Sequence, residues 1–249
     1  MNGAGVLRGL PVLLASDSKR IASDPFLILM LVYPWVLMTA LRLLLPTIEQ
    51  SLAGRVDIDT YAPFVVCLIV VMIPYSMGTI LGFQLVEEKE SNCLAAVAVT
   101  PMSLVPYMGY RVAVYSLIAL PQVVGLHVVL GLIEVPILSL CWVAVASAPA
   151  QPLMALIIAN FSANQVEAFA VMKGSGFLVL GPLAAVFFAP APWDLAAGIL
   201  PTYWPVKVYA LAAAGDTVFM ILSTIIGLLF QGACVVFLYR RLARRVLGR

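Results

Sequence analysis

Long runs of apolar residues, separated by short polar segments, make up most of this chain. A helix needs about 20 apolar residues to cross the hydrocarbon core of a bilayer. Five runs reach that length and a sixth is shorter. Because a spanning segment must satisfy its own backbone hydrogen bonds, we expect helices. The pattern predicts an all-α integral membrane protein with six transmembrane helices: Pro25–Leu45, Pro63–Val86, Val112–Ile133, Val135–Ile158, Gly174–Phe188 and Val218–Leu238.

The N-terminal segment, residues 1–24, does not fit a simple span. It alternates apolar stretches with charged residues, and Val6, Leu10 and Leu14 could share one helical face. This pattern favours an amphipathic helix that lies in the inner interface of the membrane. A loose terminal tail is the alternative.

Residues 189–216, between spans five and six, are rich in Pro, Trp and Tyr. The segment is too apolar for an ordinary exposed loop and too interrupted for one span. Two short helices, at about Trp193–Ile199 and Pro205–Ala214, would fit a re-entrant segment that enters from the outer side. Irregular backbone is tolerated at membrane depth only where protein or a water-filled cavity surrounds it. The alternative is an interfacial loop held by its aromatic side chains.

The amino-acid composition excludes a soluble protein. Hydrophobic residues make up 63% of the 249 residues and charged residues 10%, with a mean hydropathy of +1.07. A soluble domain has about 45–50% apolar and about 25% charged residues. A soluble globule of this size could not cover so much apolar surface. We therefore treat residues 1–249 as a single transmembrane domain.

The positions of lysine and arginine indicate the orientation. With the N-terminus inside, eleven of them lie on the inner side and three on the outer side, namely Arg42, Arg55 and Lys207. The positive-inside bias thus predicts a multi-pass protein of the cell (inner) membrane with both termini in the cytoplasm. The tail, residues 239–249, carries five arginines. Next to a span, such a cluster favours anionic lipid as its partner rather than nucleic acid.

Few residues could support catalysis or bind a cofactor. None of the four lysines ends a G-x-x-x-x-G-K-[ST] run, so the chain carries no P-loop of its own. His127 is the only histidine, which excludes a multi-histidine metal site. Ser175 would lie at a different depth from His127, which argues against a hydrolytic pair. We expect no cofactor, no metal and no enzymatic activity in this chain.

His127 and Glu134 are seven residues apart, a spacing that would place both on one face of span three. Ionisable groups in lipid usually face the bundle interior or a cavity. His127 is therefore either a polar point on a substrate path or a neutral histidine that is hydrogen-bonded inside the bundle. In the second case, Glu134 would simply reach the outer headgroups.

An acidic cluster, a helix break and a short apolar helix follow span two. Glu87–Glu90 ends the span, Ser91-Asn92 breaks the helix because Asn tolerates left-handed backbone, and Cys93–Val99 is the short helix. Thr100-Pro101 then begins the next helix. This pattern is typical of two structures: a docking surface on the cytoplasmic side, or a charged loop with helix caps.

These residues resemble a known family. Glu88-Lys89-Glu90, the break, the short helix, Thr100-Pro101 and Tyr107 resemble the signature loop of the permeases of type 2 ATP-binding-cassette (ABC) exporters. Asn164-Gln165-Val166-Glu167 through Lys173 resembles the second cytoplasmic loop of that family. Gly198–Lys207 resembles the outer segment of its small drug-export members.

The resemblance implies a permease driven by other subunits. Two permease units, identical or homologous, form the pore, and separate cytoplasmic ATPase subunits bind ATP and Mg²⁺. The coupling loop is residues 87–111. In it, the acidic residues and the short helix transmit ATPase closure to the spans. The residues that this implies for coupling are Glu87, Glu88, Lys89, Glu90, Thr100, Pro101 and Arg111, with Glu167 and Lys173 in the second loop.

The resemblance also implies a substrate path between spans two and five of the two subunits, with Pro201, Tyr203 and Trp204 as the outer gate. Bulky apolar walls suit lipophilic or amphipathic cargo better than ions. Residues expected along this path are Phe64, Met72, Tyr75, His127, Phe177 and Phe187. Two alternatives stay open: a membrane-embedded enzyme that modifies lipids, and a membrane assembly subunit without transport activity.

Overall fold

The computed structural model describes residues 15, 18–19, 22–52, 58–98 and 104–246, and these residues form helices joined by short turns. No strand occurs among them. Most of the predicted interfacial helix, residues 1–24, lies outside the described residues, and so do Thr100 and Pro101.

Ten α-helices and one 3₁₀ helix are present within the described ranges. They are α1 Pro25–Leu52, α2 Ile58–Glu90, α3 Cys93–Ala98, α4 Leu104–Leu130, α5 Ile137–Ser147, α6 Ala150–Phe161, α7 Gln165–Gly174, α8 Phe177–Phe188, the 3₁₀ helix Trp193–Ile199, α9 Tyr203–Ala213 and α10 Thr217–Val246.

Five helical stretches are long and apolar enough to cross a membrane, as judged over the described part of the chain. In α1 the apolar stretch, Leu31–Thr47, is shorter than the other five. The structure thus supports a multi-pass membrane protein, while the sixth span stays a prediction. The five stretches are Thr60–Glu90, Leu104–Leu130, Ile137–Phe161, Gln165–Phe188 and Thr217–Val246.

The junction between the predicted third and fourth spans differs from the expectation. Helix α4 ends at Leu130, because Gly131 adopts a φ of 61° that terminates the helix. Helix α5 then begins only at Ile137, after Pro136. Glu134 therefore lies in the connection between the two helices. The prediction that it shares a helical face with His127 is wrong.

Two of the spanning stretches are interrupted. Pro149 and Pro152 in the fourth predicted span predict a kink in its inner half. The kink is confirmed, because α5 and α6 are separate helices joined through Ala148 and Pro149. The other break lies at Ser175 and Gly176, between α7 and α8. Residues 165–174, which resemble a loop in sequence, are helical, and their first turn is capped by Asn164.

The cap of α7 is reciprocal. Oδ1 of Asn164 accepts a hydrogen bond from the backbone N–H of Glu167 at 2.9 Å, and the Glu167 carboxylate accepts one from the N–H of Ala163 at 2.6 Å. Two backbone donors at the helix start are thereby satisfied. This local pairing explains why α7 begins where it does.

Helix α2 forms the centre of the fold and contacts α1, α4, α6, α8 and α9. Its closest neighbour is α6. A Cβ placed on Gly78 would lie 2.3 Å from the carbonyl oxygen of Gln151, and one placed on Gly82 would lie 2.9 Å from Ile158. The four-residue spacing of these two glycines in the sequence predicts a helix contact, and the structure confirms it, since only glycine allows the backbones to approach so closely.

The segment between α8 and α10 contains the two short helices that were predicted from the sequence. The first is the 3₁₀ helix, and the second, α9, begins two residues earlier than expected. Tyr203, Val206 and Tyr209 on α9 are almost completely buried among the longer helices. Trp204 packs against α10, where a Cβ on Gly227 would lie 2.6 Å from it. The depth of this segment in a bilayer stays a prediction.

Candidate functional site

The candidate coupling site begins at the elbow, which we define as residues 87–98. Asn92 has a φ of 58°, the left-handed conformation that was expected to break the helix at this position. The carbonyl oxygen of Glu87, at the end of α2, accepts hydrogen bonds from both the backbone N–H of Ser91, at 3.0 Å, and its hydroxyl, at 2.9 Å. The chain turns sharply here, and α3 follows at once.

Glu88 is buried rather than displayed on the surface, with 4% of the residue exposed. Its Oε1 lies 2.7 Å from Nη2 of Arg111, which is equally buried. The hydroxyl of Tyr107 donates a hydrogen bond to Oε2 at 2.9 Å. The Arg111 guanidinium also lies over the Tyr107 ring, 5.1 Å from its centroid. A buried charge needs such partners, because leaving it alone in an apolar interior costs several kcal/mol.

A second layer extends this contact by one helical turn. Oε1 of Gln84 accepts hydrogen bonds from Nη1 of Arg111 at 3.2 Å and from the hydroxyl of Tyr115 at 2.8 Å. We call the five residues Gln84, Glu88, Tyr107, Arg111 and Tyr115 the Glu88 network. It joins the last turns of α2 to the first turns of α4.

Lys89 also points inward. Its Nζ donates hydrogen bonds to the carbonyl oxygens of Ala159, at 2.8 Å, and of Ser162. These two acceptors lie at the C-terminal end of α6, where backbone carbonyls have no helical partner and the helix dipole favours a cation. Lys89 therefore fastens the elbow to α6.

The basic end of α10 reaches the same place. Arg245 donates a hydrogen bond to the carbonyl oxygen of Asn160, and the Arg241 guanidinium lies 4.8 Å from the ring centroid of Phe161. The Asn160 side chain in turn donates a hydrogen bond to the carbonyl oxygen of Leu238 at 3.0 Å. Residues 239–246 are therefore the packed end of a helix, and two of their arginines bind protein.

The remaining acidic residues of the elbow, Glu87 and Glu90, are exposed, and so is Cys93 at the start of α3. Leu94 on α3 is buried, and this short helix contacts α2, α4 and α10. Of the four charged residues predicted to face a partner, two are thus turned into the bundle and two are presented outward.

Helix α7 packs beside the elbow. The side-chain amide of Gln165 donates a hydrogen bond to the carbonyl oxygen of Phe83 at 3.1 Å, and the rings of Phe83 and Phe169 lie 4.6 Å apart. Glu167 belongs to the cap of this helix, and Lys173 is exposed in its last turn. The second predicted cytoplasmic segment therefore contacts α2 about one turn before the elbow.

The predicted path residues fall into separate groups. Phe64 on α2 meets Phe187 on α8, with ring centroids 5.9 Å apart. The hydroxyl of Tyr75 lies 2.7 Å from Oγ of Ser175, in the break between α7 and α8. Met72 is half-buried on α2, whereas Phe177 is 61% exposed on α8. Within one chain, the α2–α8 contact brings together only part of the set.

His127 occupies the bundle interior. Its Nε2 lies 3.1 Å from the carbonyl oxygen of Ile133. A carbonyl can only accept, so Nε2 carries the proton of this hydrogen bond. The His127 ring also packs edge-on against Tyr209 of α9, with centroids 5.9 Å apart. These contacts favour the second of the two alternatives, a histidine that is hydrogen-bonded within the bundle.

The predicted outer gate contains an ion pair that sequence reasoning missed. Asp194, in the 3₁₀ helix, is buried, and its Oδ2 lies 2.6 Å from Nζ of Lys207. The hydroxyl of Tyr203 donates to the same oxygen at 3.0 Å. Trp204 packs edge-on against Tyr203 at 5.4 Å, and Pro201 is half-buried beside them. The sequence could have indicated this pair, because Asp194 and Lys207 both lie in an otherwise apolar and aromatic segment.

We expect the stability contributed by Asp194 to disappear in acid. Burial by itself raises the pKa of this carboxyl group, but hydrogen bonds from Lys207 and Tyr203 and the charge of Lys207 outweigh it, so the pKa lies below its usual value of 3.8. A group with a lowered folded-state pKa stabilises the fold above its unfolded-state pKa, and that contribution is lost as pH falls through the folded-state value.

Thermal unfolding of wild type and Asp194→Asn in detergent should therefore differ most near neutral pH. The difference in Tm should shrink below about pH 3.8. The variant Lys207→Met should make the stability contributed by Asp194 at neutral pH smaller, since it removes the cation that lowers the pKa of this carboxyl group. A Tm difference that is constant across this pH range would contradict the assignment.

Comparison with known proteins matches nearly the whole chain. A family model described as "Rv2686c-like: Fluoroquinolones export permease protein Rv2686c-like" covers residues 17–239. Two relatives from Mycobacterium tuberculosis strains are named fluoroquinolones export permease protein MT2760 and Rv2686c. Each is 27% identical to this chain over 217 residues. The match covers 84% of this chain and 85% of each relative. No solved structure matches the chain.

Proposed function

This chain belongs to the Rv2686c-like family of export permeases, and from that premise we propose that it is the membrane-spanning subunit of an ABC exporter. In this proposal, ATP is hydrolysed by separate cytoplasmic ATPase subunits, which bind the nucleotide and Mg²⁺. A second permease subunit, identical or homologous, completes the pore. The chain sits in the cell membrane with both termini in the cytoplasm.

The observation that carries the proposal is the Glu88 network at the elbow. An exposed acidic surface, with Glu87 and Glu90 on it, is joined directly to a buried set of charge-assisted hydrogen bonds between α2 and α4. Such bonds are shorter and stronger than neutral ones, so they hold the helices in one relative position. A force applied to the elbow would therefore move two spanning helices together.

Lys89 extends the same connection to a third helix. Because its ammonium group binds carbonyl oxygens at the end of α6, displacement of the elbow would also act on α6. A partner can drive a conformational change only by contacting the two states differently. We propose that the ATPase subunits make these differential contacts with Glu87, Glu90 and α3, and that the buried residues transmit them.

For the cargo, we propose a lipophilic or amphipathic drug. The relatives are named for fluoroquinolone export, and the residues between α2 and α8 are aromatic and apolar. Apolar walls with few polar groups suit such molecules. The segment around Pro201, Tyr203 and Trp204 would form the outer gate, and its burial among the longer helices agrees with that role.

The contacts do not favour a hydrolytic enzyme. Ser175 is hydrogen-bonded to Tyr75, midway along α2, and to the carbonyl oxygen of Met172. His127 is hydrogen-bonded to the carbonyl oxygen of Ile133, just after the end of α4. Nucleophile and base must lie within hydrogen-bond reach of each other. A transport assay distinguishes an exporter from an assembly subunit without transport activity.

Transport is expected to fall about tenfold when Glu87 and Glu90 are both replaced by alanine, since charge-assisted contacts of this kind contribute about 1.5–3 kcal/mol. The chain would be purified with its ATPase subunits, and fluoroquinolone uptake would be measured in inverted vesicles together with drug-stimulated ATP hydrolysis. The Tm of the permease should change little, because exposed substitutions usually alter stability by less than about 0.5 kcal/mol each.

The matched control is Glu134→Ala, which removes an exposed carboxylate from the connection after α4, at the other end of that helix. It should leave transport unchanged. Full transport by the Glu87→Ala, Glu90→Ala variant would refute the coupling role. A complex whose wild-type form carries no drug in the presence of ATP would instead support the assembly subunit.

A further inference from the structure

An apolar cleft opens between α2, α4, α6 and α10, near the elbow. Its volume is about 240 Å³, and almost all of its wall is carbon. Residues that define it are Leu81, Met108, Gly109, Leu156, Val235 and Tyr239. None of these residues belongs to the Glu88 network or to the predicted substrate path.

The cleft lies in the half of the bundle that carries the basic end of α10. Met108 and Gly109 belong to the first two turns of α4, and Tyr239 lies seven residues before the end of α10. At 1.5 Å per residue, these positions are within about 10 Å of the helix ends. In a bilayer, that depth corresponds to the upper part of the acyl chains of one leaflet.

The wall composition decides what kind of ligand fits. Sites for drug-sized molecules enclose about 300–1,000 Å³ and place a few polar groups to orient the ligand. This cleft is smaller and offers almost no polar atom. An alkyl chain needs neither orientation nor hydrogen bonds, and its burial is favourable in proportion to the apolar area removed from water.

Charges beside the cleft point to the headgroup. Arg241 lies over the ring of Phe161, and Arg245 donates a hydrogen bond to the carbonyl oxygen of Asn160. Arg240 and Arg244 are exposed on the turns that follow Tyr239. Basic side chains near a membrane surface attract anionic lipids by about 1 kcal/mol each.

We propose that this cleft binds one acyl chain of an anionic phospholipid, with the phosphate near Arg240 and Arg244. The lipid would come from the leaflet on the side of the elbow. Its binding does not require the transport function.

Gly109 makes the proposal directly testable. It lines the cleft, and a Cβ placed on it would meet no atom within 4 Å. A leucine at this position would therefore fill the cleft without a clash at its Cβ, and it would favour the helix over glycine. Gly232 on α10 has equally open space but does not line the cleft, so Gly232→Leu is the matched control.

The probe is phosphatidylglycerol with a photoreactive group in one acyl chain, added to the purified full-length chain and mapped by mass spectrometry. We expect labelling within residues 105–112 and 235–239 and competition by unlabelled phosphatidylglycerol. Gly109→Leu should reduce this labelling about tenfold, because its side chain occupies space that several methylene groups would fill. Gly232→Leu should not.

The headgroup is tested separately. Arg240→Gln with Arg244→Gln should abolish the preference for phosphatidylglycerol over phosphatidylcholine while the labelled positions stay the same. Unchanged labelling of Gly109→Leu, or labelling spread evenly over the spanning helices, would overturn the proposal. Competition by a fluoroquinolone but not by phosphatidylglycerol would also overturn it, since the cleft would then be a cargo site. Thermal unfolding confirms that each variant is folded.

Discussion

Glu88→Ala should destabilise the protein by about 3 kcal/mol, although the residue belongs to an acidic cluster at a helix end. The substitution leaves the Arg111 guanidinium buried without its carboxylate partner, and breaking one member of a buried ion pair costs about 3–5 kcal/mol. The lower end of that range applies because Gln84 still accepts a hydrogen bond from Arg111. The measurement is thermal unfolding of the detergent-purified chain.

Three variants separate this explanation from a general effect of charge removal. Glu90→Ala removes an exposed carboxylate two residues away and should change stability by less than about 0.5 kcal/mol. Glu88→Gln keeps an acceptor for Tyr107 and should cost less than Glu88→Ala. Combining Glu88→Leu with Arg111→Met should recover much of the loss, because no unpaired charge remains. Equal destabilisation by Glu88→Ala and Glu90→Ala would show that Glu88 has no buried partner.

Adding a single methyl group at Gly78 should also cost about 3 kcal/mol. The new Cβ would lie 2.3 Å from the carbonyl oxygen of Gln151 and 2.8 Å from Cβ of Met154, and neither atom belongs to the flexible end of a side chain. Helices α2 and α6 would have to move apart, and overpacking of a close-packed interface typically costs about 1–3 kcal/mol. Gly78→Ala should therefore lower the Tm and the yield of folded protein.

Gly109→Ala is the matched control for this experiment, since Gly109 also lies within a spanning helix but has no neighbour within 4 Å of its Cβ position. Alanine is the better helix former, so this change should stabilise the protein by about 0.5–1 kcal/mol. Opposite signs of the two stability changes would separate the effect of the helix contact at Gly78 from the effect of helix propensity. A neutral Gly78→Ala would mean that α2 and α6 are not packed through this glycine.

Local features of the sequence predicted several parts of the structure. Apolar length indicated the spanning stretches, and Asn92, Pro149 and Gly78 indicated a break, an interruption and a helix contact where the structure has them. The two short helices between α8 and α10 were also predicted. Each of these features depends on backbone sterics or on the polarity of a contiguous stretch, which neighbouring residues decide.

The end of α4 could not be predicted from such local features. Residues 131–136 are as apolar as a span, apart from Glu134, and a glycine does not by itself reveal a positive φ. The prediction that His127 and Glu134 share a helical face was wrong for this reason, since a seven-residue spacing places two residues on one face only while the helix continues.

The chemical roles of the charged residues depended on tertiary structure. Glu87, Glu88, Lys89 and Glu90 form one charged run in the sequence, yet Glu88 is buried, Lys89 is half-buried against α6, and Glu87 and Glu90 are exposed. The rotation of α2 against α4 and α6 decides which of these side chains face the bundle. At the end of α10, Arg245 is exposed and still donates a hydrogen bond to the carbonyl oxygen of Asn160, a contact that the sequence of the tail does not indicate. The sequence by itself determined that this chain is a bundle of membrane helices with a helix break at the elbow. Both features depend on the length of apolar stretches and on backbone sterics, which neighbouring residues decide. Only the packed structure decided which charges hold the bundle together, because an ion pair needs two distant segments at one point in space.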